Sequence, residues 1–323
     1  MTLTPEEYDR FITSPFVDES IATADGVQLV VVVGGDAEAI EPPGSKPVVV
    51  AWLGAELGGH GPGEADLVVG PEEIDHLVDL TERCPLAATT LVVLLRSVAE
   101  VPVDEALALE SAAYSLLQGG PEFAAWRRGV EPQRIIDDAS VVRTSRHDGE
   151  LVVELDRPTR HNAVTAQLRD ELHAALAIAL ADPSIERVVL RGIGPSFCSG
   201  GDLTEFGSRA DPVAAHRIRL ARSPARDLHQ LADRLSVLVH GATLGGGLEM
   251  SAFARRVVAH PATRLGLPEV GLGLIPGAGG TVSITRRIGR QRTAAIALAV
   301  DTIDAPAALA WGLVDEIDDT WAG

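Results

Sequence analysis

Apolar positions change period along this chain, and the change marks out its elements. Short apolar runs at residues 27–33 and 47–52, bounded by glycine and proline, read as buried strands, and residues 91–95 read as another. Residues 71–83 instead follow a helical period, with Pro71 at the first helical position. Residues 103–117 do the same and stop at Gly119-Gly120-Pro121. Residues 34–47 and 54–63, rich in glycine and proline, read as loops. A polar stretch at 137–148 precedes a strand at 151–155, and the boundary between two regions, 1–140 and 141–323, is placed there. Beyond it, strand, tight turn and helix recur. Thr165 caps a helix running to Ala181, with Leu168, Leu172, Leu176 and Leu180 at four-residue steps and a stop at Asp182-Pro183. Residues 188–190 form a buried strand, 211–233 are mainly helical with a break near Pro224, and 235–240 are the next strand. The fold class expected from this alternation is α/β.

Composition adds limits. A chain of 323 residues, 46% hydrophobic, can fill one large or two ordinary cores. Its net charge is −19, and of 27 basic residues only Lys46 is a lysine. Such a balance does not suit non-specific binding of nucleic acid or of an anionic membrane. The lysine shortage also removes a Walker-type phosphate loop and argues against Schiff-base chemistry. Cys84 and Cys198 are too few and too far apart for a disulfide framework or a metal site, and none of the nine histidines has zincin-like spacing. Residues 1–10 are polar and acidic, unlike a signal peptide, and no apolar run approaches membrane-spanning length, so a soluble, cytoplasmic protein is expected.

The chemistry concentrates between residues 245 and 280. Gly245-Gly246-Gly247-Leu248-Glu249, Leu267-Pro268-Glu269 and Ile275-Pro276-Gly277-Ala278-Gly279-Gly280 put two carboxylates beside backbone sparse in side chains. A substrate carbonyl can reach bare N–H groups there while a carboxylate moves a proton on the neighbouring carbon. That is the equipment for acyl-thioester chemistry through an enolate.

With these segments the sequence resembles the crotonase superfamily, the enoyl-CoA hydratases and isomerases. Leu155-Asp156-Arg157-Pro158-Thr159-Arg160-His161-Asn162-Ala163-Val164, Ser196-Phe197-Cys198-Ser199-Gly200-Gly201-Asp202-Leu203 and Ala310-Trp311-Gly312-Leu313-Val314-Asp315-Glu316 extend the likeness in the family's order. A lone triple glycine would be a weak signal; five ordered segments are a strong one. The resemblance implies a crotonase-like ββα superhelix core preceded by a smaller α/β N-terminal region. It implies an oxyanion hole made by the N–H groups of Gly201 and Gly246, with Glu249 acting mainly on water and Glu269 on the α-carbon proton. It further implies contacts to coenzyme A at Arg160 and at the loop residues Ser199, Gly200 and Asp202. A solvated loop arginine suits Arg160 equally, Asp202 is suited to holding its loop, and Cys198 to packing. The implied partner is an acyl-CoA thioester, with no cofactor beyond the coenzyme A of the substrate, no metal, and a homo-oligomer, trimer or hexamer, as the assembly. The family usually continues into a long helical tail, which region 141–323 lacks. Residues 106–114 with Pro121-Glu122-Phe123 loosely resemble that tail, so region 1–140 is expected to dock on the core in its place. Asp233-Arg234 and Ala254-Arg255 depart from the family pattern and mark a divergent member. Hydration of a 2,3 double bond is the leading activity. The alternatives are an isomerase, a dihydroxyphenylacetyl-CoA dioxygenase-like enzyme, against which Glu249 counts, and a non-catalytic acyl-CoA-binding protein.

Overall fold

The computed structural model describes residues 1–21, 26–33, 39–130, 136–208 and 211–320. Four parallel strands open the chain, Thr2–Leu3, Leu29–Val32, Val49–Leu53 and Leu67–Val69, side by side in sequence order. Both faces of this sheet are covered, which explains its unbroken apolar runs. Val30, Val32, Val50, Trp52 and Val68 pack with Tyr8 and Ile12 of the helix Pro5–Ile12. The alternate residues Leu29, Val31, Val49, Ala51, Leu67 and Val69 join the main core. Of the expected loop at 34–47, residues 34–38 lie outside the described ones; neither 39–47 nor 54–63 carries helix or strand.

Three expectations are corrected. Residues 91–95 belong to the helix Pro85–Val98, not to a strand. Ala87, Ala88, Leu91, Val92, Leu94, Leu95 and Val98 are all buried, and a helix enclosed on most of its circumference shows the same apolar run as a strand. The helix expected from Pro71 begins at Ile74, because the Glu73 carboxylate accepts from the Gly70 N–H at 2.9 Å and closes a turn that holds Pro71 ahead of it. The polar stretch 137–148 contains the strand Val142–His147, paired antiparallel with Glu150–Leu155. Only Val142 of that edge strand is buried, so it carries no apolar alternation.

The second half is built from ββα rungs. One sheet has the order Glu316–Ile317, Arg256–Ala259, Leu235–Val239, Arg187–Gly192, Glu150–Leu155, Val142–His147, all parallel except the last pair. A second has the order Ile303–Asp304, Arg264–Gly266, Ala242–Leu244. One rung runs Leu235–Val239, Ala242–Leu244 and helix Gly246–Ser251; the next runs Arg256–Ala259, Arg264–Gly266 and the 3-10 turn Pro268–Leu272. Gly241 makes the crossing between sheets with φ 55°, and a Cβ there would lie 2.1 Å from the Pro195 carbonyl oxygen. Thr165 caps Ala166–Ala181 by accepting from the Leu168 N–H at 3.1 Å, and the break at Pro224 separates helices Pro212–Ala221 and Pro224–Gln230.

Helix Val103–Gln118 lies along Pro212–Ala221 and against Gly280–Ile288, while Pro85–Val98 packs on Arg290–Leu298. Buried apolar residues of both halves therefore form one continuous cluster. Among the described residues no helix is long and apolar enough to cross a membrane.

Candidate active site

Cys198 and Thr243 form a parallel bridge that sets two neighbouring rungs in register. Gly201 and Gly246 each follow their bridge residue by three positions, so both leave the rungs at the same level. Together with Glu249 and Glu269 they line one cavity of about 270 Å³. Adjacent amides are spent, Gly245 N–H on the Gly266 carbonyl and Asp202 N–H on the Val164 carbonyl, each at 2.9 Å. Among the described residues, the N–H groups of Gly201 and Gly246 have no such partner. Packing favours a glycine at 201, where a Cβ would fall 2.3 Å from Phe206 Cε1 and the ring would have to shift. Packing does not favour one at 246, where a Cβ would meet only Ala278 Cβ at 3.6 Å and Val164 Cγ2 at 3.9 Å.

Glu249 stands in the first turn of Gly246–Ser251 and is 2% exposed. Its Oε2 accepts from Ala278 N–H at 2.6 Å and Gly280 N–H at 2.8 Å. Gly280 permits this approach, since a Cβ there would lie 2.6 Å from Glu249 Cγ. Burial pushes the Glu249 carboxyl up to about 7, against the pull of the Gly280, Ala278 and Gly277 amides. Glu269 comes from the 3-10 turn and reaches the cavity past Gly245, where a Cβ would lie 2.3 Å from its Oε1. Its Oε2 is buried without a hydrogen-bond partner among the described residues. Burial, then the charge of Glu249, raises this carboxyl well above the usual range. Ionising both at once is costly in such an enclosure, so the two titrate as a pair.

A third carboxylate was not foreseen from the sequence. Glu110, on helix Val103–Gln118, accepts at Oε1 from Gly279 N–H at 2.8 Å and at Oε2 from the Thr281 N–H at 3.0 Å and hydroxyl at 2.7 Å. Along residues 278–281 alternate amides thus serve Glu249 and Glu110. Burial, then the charge of Glu249, pushes Glu110 up to about 8. A glutamate in an amphipathic helix ordinarily faces water. The one available signal was its position three residues after Leu107 and seven before Leu117, on the buried side.

The other sequence candidates lie outside the cavity wall. Arg160 is exposed. Ser199 N–H donates to the His161 carbonyl at 2.9 Å, and Gly200, with φ 92°, accepts from Val164 N–H at 2.8 Å. Asp202 Oδ1 accepts from the Thr204 hydroxyl at 2.6 Å, and its Oδ2 lies 3.3 Å from Arg157 Nη1. Gly200 and Asp202 thus shape the loop that presents Gly201. Cys198 is fully buried and its thiol is pushed up to about 12 by burial, which suits packing and not attack.

Residues 146–320 match the enoyl-CoA hydratase/isomerase family. The mevalonyl-coenzyme A hydratase of Beauveria bassiana is 38% identical over 175 residues, 52% of this chain and 62% of that protein. The chain therefore spans less than two thirds of that relative's length. The 2,3-dehydroadipyl-CoA hydratase of Escherichia coli is 34% identical over 173 residues, 54% of this chain and 67% of that one. Among solved structures, an enoyl-CoA hydratase/isomerase from Marinobacter aquaeolei superposes with a TM-score of 0.50 at 27% identity, covering 56% of this chain and 72% of its own. With the ββα rungs, the paired glycines and more than half of its length accounted for in this way, the chain belongs to the enoyl-CoA hydratase/isomerase family.

Proposed function

We infer that this chain hydrates the 2,3 double bond of a 2-enoyl-CoA thioester. The observation that carries the reading is the convergence of two buried carboxyls and two unspent glycine amides on one cavity. The thioester oxygen is received by the N–H groups of Gly201 and Gly246, which stabilise the enolate because they are already oriented. Glu249, ionised, takes a proton from the water that attacks the β carbon. Glu269, protonated, delivers its proton to the α carbon. Of two close buried carboxyls one ionises ahead of the other, so the pair supplies both states at once. Relatives named as hydratases support hydration as the reaction. The reading needs no cofactor or metal beyond the coenzyme A of the substrate, whose phosphates suit the exposed Arg160. It extends to a cytoplasmic homo-oligomer, trimer or hexamer, to be tested by light scattering.

The purified chain is offered a small panel of 2-enoyl-CoA esters, and loss of the conjugated thioester absorbance is followed. Glu249→Gln and Glu269→Gln are each expected to slow hydration by about 10² to 10⁴-fold, the usual contribution of a general acid or base. If neither slows turnover of any ester that the parent processes, the two-carboxylate mechanism is abandoned. One observation favours an isomerase as the second reading: Glu249 Oε2 is tied to two amides, whereas Glu269 keeps an unpartnered oxygen. A single carboxylate suffices to move a proton between α and γ carbons, so double-bond migration that survives Glu249→Gln would select it.

A further inference from the structure

Four arginines line the cavity together with the carboxylates: Arg169, Arg219, Arg222 and Arg226. Three have acidic partners, Asp170 for Arg169 and Arg222, and Asp104 for Arg226. Among the described residues Arg219 has none; its partners are neutral. Nε donates to Ser111 Oγ at 3.0 Å, Nη2 donates to Ser115 Oγ and approaches the Ser111 carbonyl at 3.4 Å. The guanidinium carbon stands 4.6 Å from the centroid of the Tyr114 ring. Ser111, Tyr114 and Ser115 share one face of helix Val103–Gln118, at the three- and four-residue spacings of neighbours on a helix.

This is a partly buried cation without a counter-ion. Burial lowers the pKa of Arg219, opposed by Tyr114, whose own hydroxyl is pushed up by burial, and by Glu110, itself pushed up to about 8. His216 shares Ser111 Oγ at 2.9 Å, and Arg169 adds like charge. Leu107, Ala215 and Leu220 give the cavity apolar wall, beside polar residues that include Glu110, Glu205 and Gln118. With Nε and Nη2 engaged by the serines, Nη1, which has no hydrogen bond among the described residues, is the charge-assisted donor left for an incoming carboxylate. Tyr114 links the guanidinium to the glycine loop. Its ring packs on Gly277, where a Cβ would lie 2.4 Å from Tyr114 Cδ2, and Arg219 stands over that same ring. Arg219 and the 277–280 loop thus both adjoin the Tyr114 ring, and Arg219 lines the same cavity as Gly201, Gly246, Glu249 and Glu269.

We propose that Arg219, held by Ser111, Tyr114 and Ser115, binds a carboxylate at the far end of the acyl group, so that the preferred substrates are 2-enoyl-CoA thioesters whose acyl chain ends in an acid. This rests on the acyl-thioester reading of the cavity and names its substrate class.

The test compares kcat/KM for hex-2-enoyl-CoA and for its counterpart with a terminal carboxylate, in the full chain, Arg219→Gln and Arg219→Lys. In parallel, calorimetry measures binding of the saturated esters hexanoyl-CoA and adipoyl-CoA to the same proteins. The parent should favour the acid-ended ester in both measurements. Arg219→Gln should reduce that preference by about 10- to 100-fold, the loss of a charge-assisted hydrogen bond, and Arg219→Lys should retain part of it. Equal losses on both esters would overturn the proposal, since the guanidinium would then serve the coenzyme A portion common to both or only tie two helices together. A parent with no preference would overturn it as well, whether or not the variants fold. Preference for adipoyl-CoA through Arg219, without hydration of either enoyl ester, would remove the hydratase reading and leave this one standing.

Discussion

At the scale of single residues, the missing Cβ has separate causes at neighbouring glycines. Gly201 yields to the Phe206 ring, Gly245 to the Glu269 carboxyl and Gly280 to Glu249, each at under 3 Å. Gly246 yields to nothing in the protein, so its bareness matters only to what enters the cavity. Gly246→Val should therefore keep the fold, with a thermal midpoint close to the parent's by circular dichroism, and keep affinity for free coenzyme A. Turnover should fall by at least about 10²-fold, the scale on which loss of one oxyanion donor is felt. Undiminished turnover in this variant would show that the thioester oxygen is not received there. Glu249, Glu269 and both glycines could be singled out in the sequence because their segments follow the order of the family that the chain resembles. Glu110 and Arg219 could not. Their partners lie 169 and 108 positions away for the bonds to Gly279 and Ser111, and only the folded chain brings them together.

At the scale of elements, helix Val103–Gln118 matters most, since it carries Glu110 into the loop that holds Glu249. Its extent and its stop at Gly119 were readable from periodicity, and docking on the core was expected from the resemblance; the particular helices it packs against were not readable, because an apolar stripe does not name its partner. The helix Pro85–Val98 was misread for the opposite reason, having too little polar surface to show a period at all. Glu110 is among the charges that raise Glu269. If Glu269 delivers its proton to the α carbon, the alkaline limb of kcat/KM reports its titration, and Glu110→Gln should move that limb to lower pH. The sign for stability is also fixed. A carboxyl at about 8 in the folded chain, against an ordinary 4.5, binds more protons folded than unfolded, so its contribution is full below 4.5 and is lost as pH rises through about 8. Thermal midpoints should fall across that window, and Glu110→Gln should flatten the slope. Because glutamine also turns a donor toward the Gly279 or Thr281 amide, costing about 1–3 kcal/mol, the slope and not the absolute midpoint is the measurement. An unchanged slope and limb would show that Glu110 is not sensed by the pair.

At the scale of the whole molecule, the two periods in the sequence suggest two regions, yet their apolar residues share one cluster. Polar ties cross the same boundary. Asp66, on the loop entering the strand Leu67–Val69, has a side chain 1% exposed. Its Oδ2 accepts from Val50 N–H at 2.9 Å and from Arg96 Nη2 at 2.5 Å, its Oδ1 from Arg96 Nε at 2.8 Å, and Arg290 Nη1 approaches Oδ1 at 3.4 Å. Arg96 belongs to Pro85–Val98 in the first region, Arg290 to Arg290–Leu298 in the second. One buried carboxylate thus neutralises guanidinium groups from both. Asp66→Asn preserves the shape and the bond from Val50 but removes the charge and turns an amide donor toward a cation. Breaking one side of a buried ion pair typically costs about 3–5 kcal/mol, because the remaining charge stays enclosed without compensation. Urea unfolding of the full chain should therefore show a midpoint lowered by that amount of free energy, with the two regions still unfolding in one transition because they share a core. If the regions separate into two transitions in the parent chain, the shared cluster does not couple them. If Asp66→Asn costs under about 1 kcal/mol, the range of exposed pairs, this junction is held by its apolar contacts alone.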